Sequence, residues 1–219
     1  MANRKQYMVT VTDGSERPRV SDGFRLNPVG QWTEAPGFDN SYNPRFGLGI
    51  YGQHPEAGGY ISSENTVPEL LEIDGPMDIL TDRQVKAGRV KRIAVGDLNV
   101  PEMPREWFEL NLSDCTGLRG IPDEMEVGVL DLCRCIKLKI FPKGLVARKL
   151  YLDKCLGLEY LAERLHCNRA YIIDCINLRE LPEDMQVYKE LVVIGCDIEI
   201  PKGIVESQLA NLHDRNLPG

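Results

Sequence analysis

The stretch that decides the fold is Leu110-Asn-Leu-Ser-Asp-Cys115-Thr-Gly-Leu118. It returns as Leu130-Asp-Leu-Cys-Arg-Cys135-Ile-Lys-Leu138, as Leu150-Tyr-Leu-Asp-Lys-Cys155-Leu-Gly-Leu158, and as Ala170-Tyr-Ile-Ile-Asp-Cys175-Ile-Asn-Leu178. A shortened last copy reads Leu191-Val-Val-Ile-Gly-Cys196. The cysteines Cys115, Cys135, Cys155, Cys175 and Cys196 are separated by 20, 20, 20 and 21 residues. A fixed period of this length points to a stack of similar coils, each too small to bury its apolar face alone.

Aligned on these cysteines, the other columns are apolar too. Six residues after come Ile121, Phe141, Leu161 and Leu181. Prolines follow at Pro122, Pro142 and Pro182, with Ala162 as the exception. A further column holds Met125, Leu145, Leu165, Met185 and Ile204. The alternating L-x-L segment predicts a short strand with one face buried. The cysteine falls where the chain turns inward, and a small thiol there can reach backbone groups of the next coil. Proline belongs on the outer arc, where no ladder N–H is needed.

The repeat L-x-L-x-x-C-x-x-L-x-x-[ILF]-P-x-x-[ML] resembles the leucine-rich-repeat family, specifically its short bacterial and phage-encoded repeats of about 20 residues. The resemblance covers about half the chain. It implies an arc of parallel strands and a protein-binding role, with no particular partner. The expected fold is an α/β-type solenoid dominated by parallel β-strands, with a loop-rich β N-terminal region and a short C-terminal helical cap.

The repeats are clear from Leu110, and the solenoid is expected to span residues 66–204 with degenerate coils first. Ile93-Ala-Val95-Gly-Asp-Leu98 matches the shortened last copy, with Leu98 in the cysteine position. Leu71-Glu-Ile73 predicts a strand before it, and Trp107 a member of the convex apolar column. Residues 205–219, with Leu209 and Leu212 at helical spacing, predict the cap over the last coil. Residues 1–65 differ, holding eight of the fifteen aromatics and nine glycines. That aromatic density argues against disorder, and Tyr7-Met-Val-Thr-Val11 predicts a strand. The region is an arm or small β module that either covers the N-terminal end of the solenoid or docks on a partner.

The net charge is −7, and acidic and basic residues are interspersed with no basic cluster. This excludes the concentrated positive field that nucleic acid needs, and it disfavours anionic membranes. The start of the chain is polar and basic, with no apolar targeting segment and no membrane-spanning run. Seven cysteines, an odd number without paired spacings, predict free thiols in a reducing, cytoplasmic compartment, that of the host if the chain is phage-encoded.

Cys133-Arg-Cys135 and His166-Cys167 suggest zinc only superficially, because the cysteines are spread one per coil and do not converge. Cys167 shares a column with Val127, Ala147 and Val187, while Cys133 is expected to point outward. Gly47-Leu-Gly49-Ile-Tyr-Gly52 matches a dinucleotide fingerprint, yet Pro44 and Pro55 flank it where a strand and a helix are needed. His54, His166 and His213 have no evident nucleophile to activate. Asp123-Glu124-Met125-Glu126 reads as a solvated acidic face. No catalytic, metal or cofactor residues are assigned. Leu71 to Val95 also resembles a segment of predicted phage proteins of unknown activity.

The expected function is therefore a non-catalytic protein-interaction module, of phage or bacterial type, binding through its concave sheet. By strand alternation that face presents Asn111, Asp131, Tyr151, Asp153, Tyr171, Ile173, Val192 and Ile194. Self-association through this face or the N-terminal arm is a further option. The alternatives are a structural, virion-associated protein docking by its N-terminal arm, and a small enzyme module within residues 1–95.

Overall fold

The computed structural model describes residues 5–12, 26–35, 50–53, 55, 66–75, 77–79, 84–201 and 204. Its regular structure is almost wholly β. Seven strands come first: β1 (Gln6–Thr12), β2 (Trp32–Glu34), β3 (Ile50–Gln53), β4 (Val67–Ile73), β5 (Met77–Ile79), β6 (Gln84–Ala87) and β7 (Arg89–Val95). They form one sheet in the order β2-β7-β4-β1-β3-β6-β5, with every pair antiparallel. Five more follow: β8 (Glu106–Asn111), β9 (Glu126–Asp131), β10 (Val146–Asp153), β11 (His166–Ile173) and β12 (Gln186–Ile194). These pair in parallel in chain order, making a β-solenoid of about four turns.

The solenoid follows the alignment of the repeats. Leu110, Leu130, Leu150, Ala170 and Leu191 point inward, as do Leu112, Leu132, Leu152, Ile172 and Val193, and all are buried. The spacing from leucine to cysteine to leucine has a local cause. Cys115 N–H donates to Leu112 C=O at 3.1 Å, and Leu118 N–H to Cys115 C=O at 2.9 Å. Two successive tight turns thus carry three apolar residues into the core, and the second recurs in the next three coils through Leu138, Leu158 and Leu178.

The residue before each cysteine lies in the left-handed region: Asp114, Arg134, Lys154 and Asp174 have φ between 50 and 61°. Such a backbone costs about 1–2 kcal/mol for a residue with a side chain. It is held by a bond to the next coil, Arg134 N–H donating to Asp153 C=O at 2.6 Å and Lys154 N–H to Ile173 C=O at 2.8 Å. In the last coil the position is Gly195, at φ 66°.

The cysteine column is a ladder of thiols donating between coils. Cys135 Sγ lies 3.0 Å from Leu112 O, Cys155 Sγ 3.0 Å from Leu132 O, and Cys175 Sγ 3.4 Å from Leu152 O. Cys115, at the first coil, instead faces Thr66 Oγ1 at 3.7 Å. All seven cysteines are unpaired. Burial pushes the thiols of Cys115, Cys133 and Cys167 up to about 12, so they carry little thiolate at neutral pH. Cys133, expected to point outward, is half-buried, and so is Cys196, which no further coil among the described residues covers. Alkylation of the native protein is therefore expected to be slow, confined to Cys133 and Cys196, and to reach all seven only on unfolding. Mass spectrometry of peptides labelled before and after denaturation checks this; fast native labelling of Cys135 or Cys155 contradicts it.

The 21-residue final step is a bulge. Cys167 pairs with Val187 but Arg169 with Glu190, so β12 holds one extra residue between them.

Four expectations are corrected. First, the α/β description is not supported, because the arcs that follow β8, β9, β10 and β11 are turns and not helices. Pro122, Pro142 and Pro182 and a second set of left-handed residues, Glu124, Gly144 and Arg164, leave no room for a helical turn. The expected cap at residues 205–219 lies outside the described residues, as do Leu209, Leu212, His54 and His213. Second, Leu71-Glu-Ile73 and Ile93-Ala-Val95 are not parallel coils: they lie in β4 and β7, paired antiparallel. Leu98 nevertheless enters the solenoid core, and its N–H donates to Gly120 C=O at 2.9 Å. Third, Trp107 sits in β8 opposite Val127, in the strand column and not the convex one. Fourth, Asn111 is buried and not at an open surface.

The antiparallel sheet closes the first end of the solenoid. One side sends Val9, Val11, Leu70 and Ala94 into the solenoid core. Met8, Leu71, Ile73, Val85, Ala87 and Val90 form a second core with Leu26. The edge of β8 is sealed by a side chain: Gln53, fully buried, receives Asn111 N–H on Oε1 at 2.7 Å and donates from Nε2 to Asn111 C=O at 2.5 Å. Phe108 N–H donates to Pro55 C=O at 2.8 Å. A glutamine amide thus stands in for one residue of a neighbouring strand, satisfying an edge that would otherwise invite pairing.

Candidate interaction surface

Strands β10, β11 and β12 turn their outward side chains onto one face, and the register sets them in rows. Tyr151 lies beside Tyr171, and Tyr171 beside Val192; in the next row Asp153 lies beside Ile173, and Ile173 beside Ile194. The alternation follows from the L-x-L pattern, since burying Leu150 and Leu152 forces Tyr151 and Asp153 outward. The rings of Tyr151 and Tyr171 stack with centroids 5.0 Å apart and planes at 8°. Tyr171, Ile173, Val192 and Ile194 are each half-buried. They make an apolar strip that neighbouring strands hold in a fixed arrangement.

Charges frame the strip. On one side Tyr171 Oη donates to Glu190 Oε2 at 2.7 Å, and Arg169 Nε lies 3.3 Å from the same carboxylate. That hydrogen bond to Glu190 raises the Tyr171 pKa, so the phenol stays neutral and its ring fixed. On the other side runs an alternating ladder. Asp114 receives Arg134, whose Nη2 donates to Oδ2 at 2.6 Å; Lys154 lies 3.6 Å from Asp153 and 3.7 Å from Asp174. Asp153 is therefore engaged by its own chain and acts as part of the rim. An apolar centre inside a charged rim is the usual anatomy of a protein-binding surface.

The remaining expected residues divide. Asp131 is half-buried, and its Oδ1 accepts from Cys133 N–H at 2.9 Å. Asn111 is buried, its backbone is bonded by Gln53, and its Oδ1 receives both Ser113 N–H and Ser113 Oγ–H. It supports the first strand and leaves the surface to the last three. The expectation for Asn111 is overturned by its burial, at a strand edge whose backbone partner, Gln53, lies 58 residues upstream.

Two features escaped the sequence reading. A broad groove of about 1240 Å³ runs over the starts of the strands, past Trp107, Phe108, Arg148, His166 and Tyr188. Arg148 lies 5.9 Å from the centroid of the Phe108 ring. On the opposite flank of each strand, Ile136, Leu156 and Ile176 follow their cysteines into solvent, with Ile140 and Tyr160 alongside. The signal was present one residue after Cys135, Cys155 and Cys175 and five residues after Cys135 and Cys155, in columns that inward-facing periodicity does not select.

Within the dinucleotide fingerprint, the described residues Ile50–Gln53 form a strand where a helix N-terminus is needed, while Gly47 and Gly49 lie outside the described residues. Among the described residues no three His, Cys, Asp or Glu side chains lie in metal-holding range, and no helix is long and apolar enough to cross a membrane. No protein-family model, curated protein or solved structure matches the chain.

Proposed function

We propose that this protein is a non-catalytic protein-binding module whose partner docks on the outward face of β10, β11 and β12. The observation that carries the reading is the stacked pair Tyr151–Tyr171 beside half-buried Ile173, Val192 and Ile194, bounded by ion-paired rows. Two stacked tyrosines held by strand register lose little conformational freedom on binding, which suits them as anchors. The leucine-rich-repeat resemblance supports the same reading, and the unpaired thiols suit a reducing cytoplasm of a bacterial or phage-infected cell.

The test is the paired substitution Tyr171→Lys with Ile194→Lys. Both side chains face outward, so circular dichroism and the thermal transition should stay close to wild type. Capture of the protein partner from native cell extract, followed by titration of the captured protein, should weaken tenfold or more, roughly 1.4 kcal/mol. Unchanged affinity with an intact fold sinks the proposal.

A further inference from the structure

We propose that the flank carrying Ile136, Ile140, Leu156, Tyr160 and Ile176 is the contact surface of a two-fold symmetric dimer of this chain. The surface is distinct from the sheet face assigned above. Five of the nine large apolar side chains exposed among the described residues lie on it, so the apolar area is concentrated there. Ile140 is 77% exposed and Ile176 63%. They are held on a regular scaffold: Tyr160 and Glu180 form a parallel bridge, as do Glu180 and Glu199, and Asn177 Nδ2 donates to Leu156 O at 2.8 Å. Leu156 and Ile176 line a shallow depression of about 510 Å³ that Lys139 and Asp197 also line. An exposed apolar patch with polar borders marks a contact surface.

Charge selects the occupant. Along the flank the first coils carry Arg119, Lys137 and Lys139, while the last carry Glu180, Asp197 and Glu199. In between, Arg179 and Glu159 pair with each other at 3.0 Å and cancel. No ion pair within the chain engages Lys137, Lys139, Asp197 or Glu199 among the described residues. Parallel strands are about 4.8 Å apart, so the basic coil of β9 and the acidic coil of β12 are separated by about 14 Å. A uniformly acidic or basic partner meets one favourable end and one unfavourable end. A second copy turned by a two-fold rotation about the centre of the flank reverses the order of its coils. Its acidic end then covers Lys137 and Lys139, its basic end covers Asp197 and Glu199, and the apolar centres meet.

The experiment is sedimentation equilibrium of the full chain at micromolar concentration. The expected mass is twice the 24.7 kDa of one chain. The pair Lys137→Glu with Lys139→Glu and the pair Asp197→Lys with Glu199→Lys should each sediment as monomers. An equimolar mixture of the two should restore the dimer, because one copy then has two acidic ends and the other two basic ends. Restoration also shows that neither pair acts by unfolding the chain. Ile140→Lys, at an exposed site, should abolish the dimer with an unchanged circular dichroism spectrum. Tyr171→Lys with Ile194→Lys should leave it intact. A monomeric wild type, a dimer that survives the charge reversals, or a mixture that stays monomeric overturns the proposal. So does a dimer lost through the sheet-face substitutions, or a monomer whose flank is occupied by a different protein.

Discussion

Truncating Leu132 or Leu152 to alanine is expected to cost roughly 2–5 kcal/mol of folding stability, the range for a buried leucine whose site does not collapse. Both side chains are buried in the central coils, with a coil stacked on either side. Each also sits beside a carbonyl that anchors the cysteine of the next coil, Leu132 O to Cys155 and Leu152 O to Cys175. A cavity there disturbs two coils together, and in a stacked fold neighbouring coils are all that stabilise one another. Urea denaturation at equilibrium checks the value. A loss near zero contradicts the register, because a slip of one residue would turn these leucines outward.

The second large effect is expected at Gln53. Replacing it with alanine leaves the N–H and C=O of Asn111 without their partner in a buried setting, at roughly 1–3 kcal/mol for each group left unpaired. Gln53→Glu should be no better, since a carboxylate has no proton to give Asn111 C=O. Hydrogen exchange read by mass spectrometry should show β8 losing protection first, with β10 and β11 retained. Uniform loss across all five strands would mean that Gln53 supports the whole stack and not its first edge.

The coils were legible because a period of 20 residues and an alternation of two residues are both set by local geometry. Each of Leu112, Cys115 and Leu118 is placed by a tight turn with its near neighbour in sequence. The first sheet was not legible in the same way. Leu71-Glu-Ile73 and Ile93-Ala-Val95 alternate as a solenoid strand does, and alternation records which side is buried, not the direction of the neighbouring strand. Distance in sequence hid the seal on β8, since nothing around Asn111 announces a glutamine amide from β3. The outward placement of Tyr171, Ile173 and Ile194 was legible from strand alternation. Ile136, Leu156 and Ile176 were not, because they sit within turns, where the left-handed residue before each cysteine decides which way the next side chains face.

The proposed function is tested most directly by placing a photo-crosslinking amino acid at position 173, at the centre of the apolar strip, and irradiating the protein in its native cell extract. Position 146, exposed at the start of β10, serves as the control on the same strand set. The account predicts one discrete protein adduct from position 173 that position 146 does not give and that excess unlabelled protein competes away. Adducts that are absent, or equal at both positions, would contradict it.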